Sequence, residues 1–512
     1  MDRRTSVDRL PLALSLALPI GLCLAALLLL ARPSSRDASP FRPWNALAAA
    51  AILSVGLWST VLPRPARWRI VRSTLPAEPA KGRLNFILIV LDTVADRLDL
   101  FGYEKETMPN LRKFAREECQ AANLMLTTSP WTLPSHASMF TGLYPSAHGA
   151  HYPFVADTEF QGVAYPLRDD VPTLAEFLGT IGYETGSIVA NGGFLSGFGI
   201  PRGFAFYNTP PAATSLTRRT SWLYRLRIGE KSSVLDLIRH IAPKKLLAAT
   251  GFFAGRDASD PPAREITDLA EDWLSHHGGR PFFLFLNYLD PHVPYVAPRD
   301  GPAPLPEELS SYEFSMRRYQ AVKRGSGQFG SEELDILRRL YDAELSYLDR
   351  ELGRLFDALK RSPFYDDTMI IITTDHGESF SDKGYLGHGN DLHSPETGGF
   401  LIVRIPRSLG VVRPSPVMQF VDFFPTIAAA LNQPIPAHIQ GSPWGEGRDY
   451  GLSELFCLAC SRESRSRDRW PDSLRRDSVA VVIGDASSCA RPVVRIGSTE
   501  SRVMLKNWTL KY

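Results

Sequence analysis

Residues that can bind an anion and attack it are concentrated in residues 129–142, which read SPWTLPSHASMFTG. Pro134 and Ser135 predict a helix with Ser135 as its N-cap, continuing through residues 137–140. The N-terminus of a helix presents unpaired N–H groups and a partial positive charge, so an oxyanion such as sulfate or phosphate would bind there. Thr132 comes just before this predicted helix and is the candidate nucleophile.

Acidic and imidazole side chains follow three apolar runs, residues 85–91, 281–289 and 368–374. Such runs are typical of strands buried on both faces of a parallel sheet, and ligands collect at the carboxyl ends of those strands. Asp92 follows the first run, His292 follows the second, and Asp375 with His376 follows the third. Because a buried carboxylate needs a partner, we expect Asp92, Asp375 and His376 to bind one divalent cation together with the Thr132 hydroxyl.

The predicted ligand set bears on the identity of the metal. Imidazole is a poor ligand for Ca²⁺, so His376 favours manganese or zinc, although calcium stays open. His388 lies between glycines in the run GYLGHG, where a structural role for its side chain is not evident, and this favours a functional role. Asn191 ends another predicted strand, residues 186–190, and fits either a neutral contact to substrate or the cap of a loop.

Alternating strands and helices predict an α/β fold with a mostly parallel central sheet. The predicted helices are residues 174–178, 263–275 and 334–359, and the further predicted strands are residues 400–405, 478–483, 492–496 and 503–512. The last three strands predict a small antiparallel sheet. We divide the chain into an anchor and linker (1–80), a catalytic domain (81–435) with an insertion at about 214–255, and a C-terminal subdomain (436–512).

The N-terminal part of the chain predicts membrane helices. Residues 10–31 are apolar and uncharged, follow three arginines, and are long enough to cross a bilayer. A cleavable signal peptide is the alternative to an anchor. Residues 46–62 are a shorter apolar run, for which a second crossing is favoured over an interfacial or packed helix. A proline-rich, extended linker follows.

Charge and cysteine content limit the possible partners. The net charge of +2 gives no case for nucleic acid as a partner. The insertion carries a cluster of basic residues, namely Arg218, Arg219, Arg225, Arg227, Lys231, Arg239, Lys244 and Lys245. This cluster forms either a solvated face or a contact with anionic lipid headgroups or substrate, so membrane lipid is an expected partner. The five cysteines do not form a disulfide framework, although Cys457 and Cys460 can pair.

The residues around Thr132 resemble the signature of the sulfatases, within the alkaline phosphatase superfamily. That signature, C/S-x-P-S-R, corresponds to residues 132–136 (TLPSH), followed by TGLYP at residues 141–145. The string DPHVPY at residues 290–295 also matches a sulfatase motif, and the resemblance runs from about residue 85 to the C-terminus. Two positions differ: Thr132 replaces the Cys or Ser, and His136 replaces the Arg.

This resemblance implies an alkaline-phosphatase/sulfatase-like sandwich and a role for each site residue. Thr132 would be the nucleophile, and His292 would contact the sulfuryl or phosphoryl group. His136 would be a weaker substitute for the Arg that clamps the anion. His388 occupies the place of a Lys that protonates the leaving group in sulfatases.

The threonine at position 132 affects which ester we expect the chain to cleave, because Thr cannot be converted to the formylglycine that sulfatases use. Relatives with a Thr nucleophile act on phosphodiesters or are membrane-bound transferases. We expect a membrane-anchored, metal-dependent hydrolase of sulfate or phosphate and phosphonate esters, working through a covalent Thr132 intermediate. Two alternatives are a phospho-group transferase resembling phosphoethanolamine transferases or lipoteichoic acid synthases, and a non-catalytic binding protein. Bacterial relatives imply an inner membrane and a catalytic domain outside the cytoplasm, although the arginines do not decide the orientation.

Overall fold

The computed structural model describes residues 84–94, 98–151, 164–209, 262–293, 295, 298, 330–380, 386–389, 392, 394–409, 417–446, 450–456, 478–483 and 494–496. All of them belong to one compact unit that comprises Arg69–Arg218 and Ala258–Tyr512. The predicted membrane segments, the linker, the basic insertion and the strand at residues 503–512 lie outside the described residues. Within the described part of the chain, no helix combines the length and the apolar character needed to cross a bilayer.

A seven-stranded sheet, mostly parallel, forms the centre of the unit. The strands of the chain are β1 (Asn85–Leu91), β2 (Ala121–Leu126), β3 (Glu184–Val189), β4 (Phe206–Asn208), β5 (Phe282–Tyr288), β6 (Thr368–Thr374), β7 (Ser379–Phe380), β8 (Leu386–Gly387), β9 (Gly398–Arg404), β10 (Tyr450–Leu455), β11 (Ser478–Ile483) and β12 (Val494–Ile496). The order in the central sheet is β2-β9-β6-β1-β5-β3-β4, and among these described strands β9 alone runs opposite to the other six. Strands β10, β11 and β12 form a small antiparallel sheet. The mostly parallel central sheet and the small antiparallel sheet are confirmed, although the sequence does not predict that β10 belongs to the small sheet.

Helices cover both faces of the central sheet. They are α1 (Pro109–Glu118), α2 (Thr132–Thr141), α3 (Pro145–His148), α4 (Leu174–Thr180), α5 (Ala263–His276), α6 (Ser331–Arg361), α7 (Ser394–Thr397) and α8 (Phe423–Ala430), with short 3₁₀ turns at Asp99–Phe101, Tyr365–Asp367, Arg407–Leu409 and Phe420–Asp422. Ile87 and Ile89 of β1 pack in a core with α1, α5 and α6, whereas Phe86 and Leu88 pack with α2, α4 and α8. Because both faces are covered, the sequence of β1 is apolar at almost every position.

The predicted start of the helix after β2 is wrong. Helix α2 begins at Thr132, with Trp131 as its N-cap in extended conformation, whereas Ser135 lies in the first turn and its hydroxyl donates to the Ser129 carbonyl at 2.9 Å. Pro134 does not prevent this earlier start, since the N–H groups of a first helical turn have no partner within the helix. Thr132 is therefore part of the helix N-terminus itself.

Candidate active site

Two adjacent central strands deliver the predicted metal ligands to one edge of the sheet. Strands β1 and β6 are parallel neighbours, and Leu91 is paired with Thr374. Asp92 and Asp375 come next on the two strands, so their side chains meet. At Gly377, just beyond β6, a Cβ atom would lie 2.1 Å from the Pro395 carbonyl oxygen, and only glycine fits this approach.

The predicted ligands are close together and fully buried. One ligand atom each from Asp92, Asp375 and His376 lies within 4.8 Å of the others. The Nε2 atom of His376 is 3.7 Å from Asp92 Oδ1 and 3.4 Å from Asp375 Oδ2. The Thr132 hydroxyl lies 3.3 Å from the same Nε2 atom. The structure therefore brings together the four residues that the sequence assigns to the metal.

The hydrogen bonds of these residues fit a bound cation. Among the described residues, Asp92 Oδ1 and Asp375 Oδ2 are buried with no hydrogen-bond donor. The Nδ1 atom of His376 lies 3.0 Å from the Gly377 carbonyl, and a carbonyl only accepts, so Nδ1 carries the proton. The lone pair of Nε2 then faces the two carboxylates, and a second hydrogen bond of this kind is how metal-binding histidines are usually oriented.

The titration behaviour of the chain alone also favours a cation here. Burial, and then the neighbouring carboxylate of Asp92, raise the pKa of Asp375 well above its usual range. Burial also raises the pKa of Asp92 and lowers that of His376 well below its usual value. Without a cation, these shifts favour protonated carboxyl groups. A divalent cation would instead stabilise two adjacent ionised carboxylates beside a neutral imidazole.

Two asparagines support Asp92 from the neighbouring strands. Asn191, after β3, donates from Nδ2 to Asp92 Oδ2 at 3.0 Å, and its backbone N–H donates to Asn287 Oδ1 at 2.9 Å. The Phe194 N–H donates to Asn191 Oδ1 at 3.4 Å, so Asn191 both caps its loop and holds the candidate metal ligand Asp92. Asn287 was not predicted, although an amide within the apolar strand FFLFLNY is a signal of a buried polar contact.

Thr93 fixes the other carboxylate through a strained backbone. Its φ angle of 59° lies in the left-handed region, which is unusual for a β-branched residue. The N–H of Thr93 donates to Asp375 Oδ1 at 3.2 Å, and its carbonyl accepts from the Tyr341 hydroxyl at 2.9 Å. These two contacts hold a conformation that costs about 1–3 kcal/mol, a pattern found at functional sites.

His136 is a neutral residue that holds the backbone of Thr132. It is fully buried, and its Nδ1 donates to the Thr132 carbonyl at 2.9 Å and lies 3.6 Å from Asp375 Oδ2. Burial lowers its pKa to about 4. It is therefore uncharged near neutral pH, unlike the Arg that it replaces in the sulfatase signature.

Two further histidines line the same edge of the sheet. The ring of His388 is 4.3 Å from that of His376 and 4.9 Å from that of His292, measured between centroids. The Nδ1 atom of His292 donates to the Val293 carbonyl at 2.6 Å, which leaves Nε2 for other contacts. The structure thus places both of these sequence-predicted residues beside the metal ligands.

His148 supports α2 from the following helix. Its Nδ1 accepts from the Ala150 N–H at 3.0 Å, so the proton is on Nε2, which lies 3.2 Å from the Pro134 carbonyl. Protonation of Nδ1 would place its hydrogen against the hydrogen of the Ala150 N–H group. Burial, and then the nearby His151, lower the pKa of His148 to about 3.

This histidine should make the fold sensitive to acid. An unfolded histidine takes up a proton near pH 6.5 whereas folded His148 does not, so the free energy of unfolding falls as the pH drops below about 6.5. Between pH 7 and pH 5, His148 should lower the free energy of unfolding by about 2 kcal/mol. Urea unfolding at both pH values should therefore show a smaller decrease of this free energy in His148→Gln than in the wild type. The same substitution at the exposed His438 is the control, and equal losses in wild type and His148→Gln would contradict the assignment.

Comparison with known proteins identifies the family. The sequence model of the sulfatase family matches residues 84–433. The multifunctional alkaline phosphatase superfamily protein PehA of Trinickia caryophylli is 28% identical over 334 residues, which are 54% of this chain and 59% of that protein. The choline-sulfatase of Rhizobium meliloti is 26% identical over 331 residues, 59% of each chain. This chain thus aligns with about 59% of the length of these two curated relatives.

A solved structure shows the same fold. The phosphonate monoester hydrolase from Silicibacter pomeroyi superposes with a TM-score of 0.51 at 21% sequence identity, covering 81% of this chain and 89% of that one. The family match covers more than half of the 512 residues and includes Asp92, Thr132 and the Asp375-His376 pair. The chain therefore belongs to the sulfatase family, within the alkaline phosphatase superfamily.

Proposed function

We propose that this chain is a metal-dependent hydrolase of phosphate or phosphonate esters, or of sulfate esters, with Thr132 as its covalent nucleophile. The observation that carries the proposal is the position of the Thr132 hydroxyl, 3.3 Å from His376 Nε2. The same Nε2 atom lies 3.7 Å and 3.4 Å from two buried carboxylate oxygens that accept no hydrogen bond from any described residue. The hydroxyl therefore contacts one of the residues that would hold the cation. Manganese or zinc suits a set of two carboxylates, one imidazole and one hydroxyl.

The chain's own residues position the attack. A divalent cation held by Asp92, Asp375 and His376 would supply positive charge that favours the Thr132 alkoxide. His136 fixes the Thr132 backbone through its carbonyl. The first N–H groups of α2 and the side chain of His292 face the negative oxygens of the ester. Thr132 Oγ1 then attacks sulfur or phosphorus in line with the leaving oxygen.

Proton transfer completes each half of the reaction. The electron pair of the breaking bond goes to the leaving oxygen, which takes a proton from His388. Water then attacks the sulfur or phosphorus of the Thr132 ester and gives a proton to His388. Thr132 Oγ1 leaves with the electron pair of the broken bond, as the alkoxide in which it first attacked. His388 serves both steps because its ring lies against that of His376, within the same cluster.

The threonine favours phospho-esters over sulfate esters. Sulfatases depend on an aldehyde made from Cys or Ser, and Thr132 cannot form one. One relative is named as a choline-sulfatase and a structural neighbour as a phosphonate monoester hydrolase, so both substrate classes occur among similar proteins. Natural substrates of this chain belong to the same chemical range.

A panel of nitrophenyl esters tests the proposal. The purified chain, loaded with manganese or zinc, should cleave a phosphonate monoester or a phosphodiester faster than the sulfate monoester. The control is the chain treated with a chelator, which should be inactive until metal is restored. No turnover of any of the three esters with any divalent metal would overturn the proposed function.

Residues 10–31 are proposed to anchor the enzyme in a membrane with the catalytic domain outside the cytoplasm. The support is their uncharged apolar length, since such a segment is not released by salt or alkali. The full-length chain should stay with the membrane fraction in carbonate, whereas a chain that begins near residue 81 should not. Recovery of the full-length chain in the soluble fraction would contradict the anchor. Digestion of the catalytic domain by protease added to intact spheroplasts would show that this domain lies outside the cytoplasm.

A further inference from the structure

The hairpin after the metal-binding strand places a buried carboxylate opposite His388. Strands β7 and β8 are antiparallel, with Phe380 paired to Leu386 and Ser379 paired to Gly387. The next pair outward is Glu378 and His388. Facing residues of an antiparallel pair project their side chains to the same side, so this register brings the two together.

The contact between them is specific. His388 Nδ1 lies 3.3 Å from both carboxylate oxygens of Glu378. The Glu378 side chain is 0% exposed and that of His388 is 14% exposed, so the pair is shielded from water on the carboxylate side. A carboxylate accepts hydrogen bonds, which places the proton of this contact on Nδ1.

The loop around His388 holds the ring in this orientation. Gly387 and Gly389 flank it with φ angles of 101° and 75°, a region that favours glycine. On its other side the ring lies against those of His376 and His292. The imidazole is therefore fixed at Nδ1 by Glu378, while its ring packs against that of the candidate metal ligand His376.

We propose that Glu378 is a positioning residue for the proton donor His388, and this inference rests on the proposed function. By accepting the Nδ1–H, the carboxylate directs the Nε2–H at the leaving oxygen. When the bond from sulfur or phosphorus to that oxygen breaks, the oxygen keeps the electron pair and takes the Nε2 proton. The ring becomes neutral, keeps its contact with Glu378, and regains the proton from the attacking water.

Leaving-group dependence tests this role. The probes are the phenyl and 4-nitrophenyl esters of phenylphosphonate, because 4-nitrophenolate leaves without help whereas phenolate needs a proton. Glu378→Leu removes the acceptor and should lower the rate of cleavage of the phenyl ester at least about 100-fold, but that of the nitrophenyl ester less than about tenfold. Glu378→Gln keeps one acceptor oxygen, so its rate on the phenyl ester should lie between those of Glu378→Leu and the wild type. It is also isosteric, so it keeps the test valid if the Leu variant does not fold.

A double-mutant cycle shows whether Glu378 acts through His388. In a His388→Ala background, Glu378→Leu should change either rate less than about threefold, because the group that it positions is gone. The control is Glu351→Leu, which removes another buried carboxylate, on α6, that contacts Arg354 at 2.7 Å. This variant should change the cleavage rates of the two esters by the same factor.

The possible outcomes separate the two proposals. If Glu378→Leu lowers the cleavage rates of both esters equally, or lowers them by the same factor with and without His388, the positioning role alone is overturned. If the wild type cleaves neither phosphonate ester, the phenyl and 4-nitrophenyl esters of the class that it does cleave, phosphodiester or sulfate, replace them. No turnover of any of the three classes overturns the proposed function, and this inference fails with it. A larger loss on the phenyl ester that disappears in the His388→Ala background supports the inference.

Discussion

Thr132→Ala is expected to lower turnover of the best ester substrate at least about 10³-fold, because removal of a covalent nucleophile leaves only binding and charge stabilisation. Thr132→Ser keeps a hydroxyl on the first turn of α2 and should retain part of the activity. Initial rates of product release, measured on metal-loaded protein, read this order directly.

The same helix offers a matched control. Thr141→Ala removes the same atoms at the opposite end of α2, where the hydroxyl donates to the Ala137 carbonyl at 2.7 Å. This variant should lose some stability but keep turnover within about tenfold of the wild type, since Thr141 lies at the far end of the helix from Thr132. If Thr132→Ala matches the wild type on every substrate that is cleaved, Thr132 is not the nucleophile.

Asp92→Asn and Asp375→Asn are expected to weaken binding of one divalent metal ion at least about 100-fold, because even groups that only orient a ligand contribute about 10- to 100-fold. Turnover at limiting metal should fall in parallel. Calorimetric titration with Mn²⁺ or Zn²⁺ measures the binding directly. One equivalent of metal should also raise the unfolding temperature of the wild type and not that of the variants.

Asp349→Asn controls for the loss of a buried carboxylate. Asp349 accepts hydrogen bonds from the Asn110 and Leu111 N–H groups at the start of α1, and its substitution should affect stability without changing the metal affinity. The metal-free Asp92→Asn and Asp375→Asn variants should be no less stable than the metal-free wild type, because one of two adjacent buried carboxylates is gone. Unchanged metal affinity in both variants would refute the assigned centre.

The buried parallel strands were the most predictable part of the fold. The bounds of β1 and β6 match their apolar runs residue for residue, and β5 differs by one residue at each end. The reason is that a strand covered on both faces carries a continuous apolar run that ends where the chain reaches the polar edge of the sheet. The positions of Asp92, Asp375 and His376 follow from the same pattern.

Strands without that pattern were harder to predict. Strand β2 (AANLML) was missed because alanine and asparagine are uncommon in strands, and its direction follows only from pairing with β9. Strand β9 was predicted to start at Phe400, whereas it starts at Gly398. A Cβ atom on Gly399 would lie 2.9 Å from the Thr127 side chain, so this glycine is required by close packing and not by a turn.

The supporting contacts of the site depend on tertiary structure. Glu378 becomes a partner of His388 only when the β7–β8 hairpin closes, and nothing in the spacing of the two residues reveals that register. Likewise, the burial that makes His136 neutral comes from neighbours such as Phe285, whose ring centroid is 5.7 Å away and which lies far along the chain. Residue types indicate which groups can react, whereas their charge state follows from packing.

The position of β1 between β5 and β6 determines when the site can form during biosynthesis. Both partners of this central strand come from much later in the chain, and the second is complete only at Thr374 of 512 residues. Contacts of such large sequence separation form slowly, because a long loop must close first. The candidate metal ligands Asp375 and His376 follow that last strand, so the site can form only after β6 has been synthesised and has paired with β1. A metal ion that needs this site would therefore bind only after the central sheet has closed.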